Sequence, residues 1–316
     1  MAGGGYKDFT TGEVLTASDV QDYLMDQSVM VFASSSARSS AIPSPTEGMV
    51  TYLSDDDAVE YYDGSSWDAV ASGAPILTAG DVSGTTGSPT INDYTSGGID
   101  YRAYKFTATG SITLTRTGLA DVLMVAGGGG GGKSADGNRG GGGGAGGLFE
   151  FTDLYITLAG AVTVLVGAGG AGNSYTANVG GRSGLNYPYV VMHGGGRGGT
   201  SGSILGQNGG SGGGGRYNST GGDSTPPYGN DGGTASTSVG GGGGGRLAVG
   251  SSGASGGAGG AGLTTSISGS SVTYAAGGPG STNTAGAANT GNGGGGGASS
   301  DGGNGGSGIV IFRVRQ

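Results

Sequence analysis

Cysteine is absent from the 316-residue chain, which removes any disulfide framework and any cysteine-ligated zinc centre. Histidine occurs once, as His193, with no carboxylate cluster beside it in the sequence. A histidine-based metal site therefore has no ligand set, and neither metal nor cofactor is expected. No apolar run reaches the roughly 20 residues of a membrane-spanning helix, so membrane insertion is not expected either. The opening Met1-Ala-Gly-Gly-Gly-Tyr-Lys7 lacks the apolar stretch of a secretory signal, and the expectation is a soluble protein made in a cytoplasm. Basic charge is scarce: 13 Lys and Arg stand against 22 Asp and Glu, for a net charge of −9. Residues 1–70 hold 12 of the acids and, of the bases, Lys7 and Arg38 alone, while the remainder is close to neutral. A nucleic-acid partner would need a concentrated basic surface, so none is expected. The acidic head serves either solubility or docking on a basic partner.

What the chain has in excess is glycine, 83 residues, of which 69 lie between Gly127 and Gly308 without the every-third-residue period of collagen. Ordering backbone costs about 1–2 kcal/mol per residue, hence on the order of 100 kcal/mol for these glycines, and glycine has no side chain whose burial could offset it. Either the block is disordered or its tracts hydrogen-bond densely to one another. Extended threefold helices permit the second, because their N–H and C=O groups point outward. Ala168-Gly-Gly-Ala-Gly172, Ala258-Gly-Gly-Ala-Gly262 and Asp301-Gly-Gly-Asn-Gly-Gly-Ser-Gly308 run as X-Gly-Gly, which leaves two of three edges bare for packing. The expected fold class is mainly β with a polyglycine-II-like glycine-rich helical bundle, a short N-terminal helix and a small β-meander. A conventional core is expected only in parts, with hydrogen bonding and oligomerisation supplying the rest of the stability.

Three regions follow: 1–72, a short helix plus a three-stranded meander; 73–126, a β-rich connecting part; and 127–316, the glycine-rich bundle bracketed by strands. Thr16-Ala-Ser-Asp19 resembles a capping box, and Val20, Tyr23 and Leu24 follow at helical spacing, which predicts a helix over 17–27 whose apolar face needs a partner. Val29–Phe32 reads as a strand, and 34–42 as a helical turn stopped by Pro43 and Pro45. From Gly48, alternating residues around Asp55-Asp56-Asp57 and Asp63-Gly64 predict the meander. Trp67, the lone tryptophan, is either a ligand platform or the plug of that small sheet. Strands are expected at Tyr101–Thr107, Ser111–Arg116, Val122–Ala126, Val162–Val166, Tyr189–Met192 and Ile309–Val314.

Gly127-Gly-Gly-Gly-Gly-Gly-Lys133-Ser134 matches the P-loop pattern by letter and follows a strand. A P-loop must open a helix at its Lys-Ser, and Ala-Asp-Gly-Asn-Arg followed by five glycines cannot be one, so nucleotide binding is not expected. No spacing suggests a catalytic triad or a paired-acid glycosidase site, and the chain is not expected to be an enzyme. The excursions 173–179, 182–189 and 216–231 mix Tyr, Asn, Arg and Asp in turn-rich settings, a composition suited to recognition from a stiff scaffold. Their candidate contact residues are Tyr175, Arg182, Tyr187, Tyr189, Arg216, Tyr217, Asp223 and Tyr228. The alternative is that these tyrosines simply cover the bundle.

Asp8–Phe32, Ile42–Leu53 and Tyr62–Trp67 resemble the N-terminal region of tailed-bacteriophage structural proteins. Val122–Gly147, Val162–Gly172 and Gly306–Arg313 are similar to the segments that frame the glycine-rich domain of phage tail fibre and minor tail proteins. The resemblance implies a homotrimeric virion protein, located in the tail and made in the host bacterial cytoplasm. Its N-terminus would bind other tail or baseplate proteins, with Val20, Tyr23, Leu24 and Trp67 as candidate anchor residues. Its glycine-rich part would adhere to a glycan or protein of the host surface. A capsid-decorating head fibre with a structural role, or a depolymerase, are the alternatives.

Overall fold

Val122-Leu-Met-Val125 and Ile309-Val-Ile-Phe312 are apolar at every position rather than at alternate ones, the pattern of strands buried on both faces. In the computed structural model they pair with each other at the centre of a sheet that is covered on both sides. The structure describes residues 11–12, 14, 16–17, 29–55, 58–70, 76–134, 139–172, 177–186, 188–298 and 301–316. The chain divides into two compact units, Met1–Ala74 and Pro75–Gln316.

In the first unit β1 (Val29–Phe32), β2 (Val50–Leu53), β3 (Ala58–Tyr62) and β4 (Trp67–Ala69) form a sheet in chain order. The pairs β2–β3 and β3–β4 are antiparallel. Asp63-Gly64 makes the β3–β4 turn as expected: the Asp63 carboxylate accepts from the amides of Ser65 and Ser66, and Gly64 takes φ +99°. The meander gains a fourth strand, because β1 pairs in parallel with β2. Parallel neighbours need a crossover, and α1 (Ser35–Ala41), capped by the Ser34 hydroxyl, lies between them in the chain. Of the helix expected over 17–27, Ala17 is described and helical, and 18–27, with Val20, Tyr23 and Leu24, fall outside the described residues.

The second unit contains two five-stranded sheets. One has the order β10 (Leu148–Ile156), β9 (Gly118–Val125), β16 (Ile309–Arg315), β7 (Ile99–Phe106), β6 (Thr90–Ser96). The other has the order β13 (Tyr189–Met192), β12 (Ser183–Asn186), β11 (Gly160–Leu165), β8 (Gly110–Leu114), β5 (Val82–Thr86). Tyr104, Phe106, Val122, Met124, Val310 and Phe312 of the first sheet form one core with Ile112, Leu114, Val162, Val164, Leu185 and Met192 of the second. The alternate residues Leu123, Val125, Ile309 and Ile311 are buried too, among Ala145, Leu148, Ile267 and Tyr274. Part of this second cover is the hairpin of β14 (Leu263–Thr265) and β15 (Val272–Tyr274). Tyr94 Oη and Asn92 Nδ2 of β6 hold the chain after β14 by the carbonyls of Ile267 and Ser268, at 2.8 and 3.0 Å. Gly97 and Gly98, both at positive φ, close the β6–β7 hairpin in two residues, which the primed turn requires.

The expected fold class is overturned. The unit is mainly antiparallel sheet, and no polyglycine-II-like helical bundle is seen. A conventional core extends through both sheets, so hydrogen bonding is not the main source of order in the strands that frame the tracts. The tracts themselves are extended connections whose amide bonds leave the segment. Gly127 and Gly130 donate to the 178–181 segment, Gly128 and Gly131 to 303–306, and Gly129 and Gly132 to 141–144, all at 2.8–2.9 Å. The amides of the 140–146 tract go on to Gly199, Gly241, Gly294, Gly196 and Gly291 among others. Neighbouring backbones approach so closely that a Cβ on most of these glycines would strike a carbonyl of the next segment.

The entrance to this unit is pinned by charge. Asp81 accepts from Arg116 Nε and Nη2 at 2.6 and 2.8 Å and from the Thr78 amide at 2.8 Å. The Arg116 guanidinium bonded across it is the largest influence, and holds the Asp81 carboxyl at about 2, below the ordinary carboxylate value of about 3.9.

Two outcomes follow from this architecture. Gly143→Ala drives a methyl into the Gly129 carbonyl, whereas Gly84→Ala on β5 enters open space at ordinary backbone angles. Urea unfolding should show a loss of about 1–3 kcal/mol for the first and within about 0.5 kcal/mol of wild type for the second; equal losses would mean that close backbone approach does not limit side chains here. A depressed carboxyl stabilises the fold above its unfolded pKa and loses that contribution as pH falls through the folded one. Wild type should exceed Asp81→Asn at pH 7 by about 1 kcal/mol, discounted because Arg116 is 42% exposed. That gap should close between pH 4 and 2 in paired thermal melts, and a pH-independent gap would contradict the assignment.

Candidate functional site

The excursions leave the glycine tracts through turns fixed by backbone bonds. Arg182 is exposed just before β12, and Tyr189, at the start of β13, is 84% exposed. The hairpin beneath them is tied to β11, where the Thr163 amide donates to the Asn186 side chain at 2.6 Å. Tyr175 and Tyr187 lie outside the described residues. In the longer excursion, Tyr217 and Asn218 take φ of 48° and 54°, and the Ser219 hydroxyl closes their turn by donating towards the carbonyls of Ile204 and Arg216. Left-handed backbone at two consecutive non-glycine residues is costly, and the bonds to Ser219 over-determine it. Tyr217 is thereby held 47% exposed, while Arg216 is buried at 4%.

Asp223 is exposed and exchanges two hydrogen bonds with Asn208: its amide donates to Oδ1 at 2.8 Å, and Asn208 Nδ2 donates to its carboxylate at 3.3 Å. Tyr228 turns inward, its ring edge-on to Phe149 at 5.8 Å, and its carbonyl accepts the Leu148 amide at 3.0 Å. The structure thus presents Arg182, Tyr189, Tyr217 and Asp223 at the surface and spends Arg216 and Tyr228 on packing. Among the described residues, no hydrogen bond or ring contact links the Tyr189 hairpin to the Tyr217 turn.

In the first unit Trp67 faces Tyr62 across the β3–β4 pair at 5.3 Å, and the Arg38 guanidinium lies 4.5 Å over its ring. Arg38, itself buried, is also ion-paired with Glu60. The tryptophan is therefore engaged within its own sheet. By register, Val29 and Val31 lie on the opposite face from Leu53 and Thr51, and they are exposed together with Val59, Tyr61 and Val70. Sequence reading missed this apolar face. Its signal was the alternation Val29-x-Val31 beside Val59-x-Tyr61, visible only once the strands are paired.

The P-loop-like stretch offers no phosphate cradle. The amides of Gly127–Gly132 all donate to carbonyls of other tracts, and Lys133 pairs with Asp301 at 2.9 Å. His193 contributes its carbonyl to the Gly147 amide. Among the described residues, no three His, Cys, Asp or Glu side chains gather as metal ligands.

A second feature missed from sequence is a depression of about 400 Å³ lined by Arg197, Ser203, Leu205, Gly206, Gln207 and Asn208. The Arg197 guanidinium is half-buried there, and burial pulls its pKa below the ordinary value.

A family model described as a glycine-rich domain matches residues 105–315, from β7 to the end of β16. No curated protein matches the chain. Since the match spans well over half of the 316 residues, the chain belongs to the glycine-rich domain family.

Proposed function

We propose that this chain is a structural protein of a tailed-bacteriophage virion, a tail fibre or minor tail protein. Its N-terminal unit attaches to the particle, and its glycine-rich unit adheres to the host surface. The observation that carries the proposal is the presentation of Tyr189 and Tyr217 on turns fixed by hydrogen bonds, the first through the β12–β13 pairing and the Asn186 side chain, the second through the Ser219 hydroxyl. Backbone held in place before contact has little further freedom to lose on binding. The sequence resemblance of the framing strands and of residues 8–67 to phage structural proteins supports the same reading. The uncovered Val29, Val31, Val59 and Tyr61 face is the candidate for attachment to a partner in the particle.

Adhesion on this reading is multivalent. One turn with a tyrosine and a few polar groups binds weakly, and copies carried on one trimer or one particle raise the effective concentration of the second and later contacts.

The test uses particles of the phage that encodes the chain. Immunogold against the protein should mark the tail, and purified full-length protein added to host cells should slow phage adsorption about tenfold or more. Label on the capsid with no effect on adsorption would replace the adhesion reading with a decorating role. Cleavage of a surface polysaccharide by the purified protein would replace it with a depolymerase.

A further inference from the structure

Arg197 stands where the tracts exclude side chains. Gly196 and Gly198 flank it, and a Cβ on either would strike the carbonyl of Gln207 or Gly141. The backbone around it is hydrogen-bonded to other segments: Gly196 donates to Ser211, Gly198 to Gly130, Gly199 to Gly214, and the Arg197 carbonyl accepts the Gln207 amide at 3.0 Å. A long cationic side chain in this position is thus held at its base and projects into the depression formed with Ser203, Leu205, Gln207 and Asn208.

The guanidinium donates to the Gly198 carbonyl, at 3.3 Å, and among the described residues no carboxylate lies within ion-pair distance of it. Its counterparts Arg102, Arg116 and Arg313 each meet an aspartate. Withdrawing a guanidinium from water without a counter-ion is unfavourable, so the charge of the half-buried Arg197 is not a source of stability. The nearby carboxylate of Asp223 is held by Asn208, which also fixes the direction of that amide. Leu205, 55% exposed, supplies an apolar wall.

A planar cation with several donors matches a carboxylate or phosphate in two-point geometry. Amide and hydroxyl groups beside it suit sugar hydroxyls, and a leucine suits the C–H face of a sugar ring. The depression is shallow and open rather than an enclosed cleft. We propose that the Arg197 depression binds the oxyanion of an acidic surface glycan, with Gln207, Asn208 and Ser203 receiving its hydroxyl groups. This rests on the adhesion reading above and specifies the class of glycan.

The experiment compares full-length wild type, Arg197→Gln and Arg197→Lys for adsorption to host cells. It also compares their binding to immobilised polygalacturonate, a glycerol-phosphate polymer and neutral dextran, at low and high salt. Wild type should bind one acidic polymer at least tenfold more tightly than dextran, and weaken with salt. The polymer preferred distinguishes a carboxylate source from a phosphodiester one. Arg197→Gln should lose about tenfold or more on that polymer and on cells, and Arg197→Lys should lose less. The melting temperature of Arg197→Gln should equal or exceed that of wild type, whereas a purely structural arginine would lower it. Cell adsorption unchanged by Arg197→Gln, or equal binding to dextran, overturns the site and leaves adhesion standing. A wild type that adsorbs to neither cells nor any polymer overturns both.

Discussion

Glycine lacks a Cβ, and the second unit depends on the backbone-to-backbone approach this allows. An N–H of one tract reaches a carbonyl of another at ordinary hydrogen-bond length only if nothing stands between the chains. At position after position the space a methyl would need is occupied by a neighbour's carbonyl. Each net hydrogen bond is worth little, but an unmade one in a buried backbone costs more. Order in the tracts is therefore cooperative: removing one segment would orphan amides in several others.

The tracts could not achieve this unaided. Their ends are set by β9, β10, β11, β12 and β16, whose apolar residues are part of the two cores. Gly127 follows β9 after Ala126, and Gly308 leads directly into β16. Because those two strands are hydrogen-bonded neighbours, the first and last tracts begin and end side by side. Hydrophobic burial fixes the frame, and hydrogen bonding fills it.

Much of the frame was legible in the sequence. Ser111-Ile-Thr-Leu-Thr and Val162-Thr-Val-Leu-Val alternate and became β8 and β11; Val122–Val125 and Ile309–Phe312 do not alternate and became the doubly covered centre. Pairing was not legible, because β16 meets β7 across some two hundred residues and no local pattern encodes such a partner. The polar strand Thr90–Ser96 also escaped notice, since its role lies in Tyr94 and Asn92 reaching a distant segment. The helical-bundle expectation had the tracts bonded to one another and merely bracketed by strands, whereas the apolar strands build two five-stranded sheets with a continuous core. At the candidate site, exposure was the unreadable quantity. Arg216 and Tyr217 are adjacent and equally polar in context, yet one is buried and the other outward, a difference set by the left-handed turn between them and Ser219.

The rotation of amide partners along Gly127–Gly132, in which each residue shares its neighbouring segment with the residue three places on, bears on how such a protein changes length. Adding or deleting a triplet of glycines returns every later amide to the neighbour it had. A change of one or two residues turns the whole downstream tract towards the wrong companions. Variation in these tracts would accordingly be filtered into whole triplets, and the excursions between them would be carried outward or inward by fixed steps while keeping their compass direction.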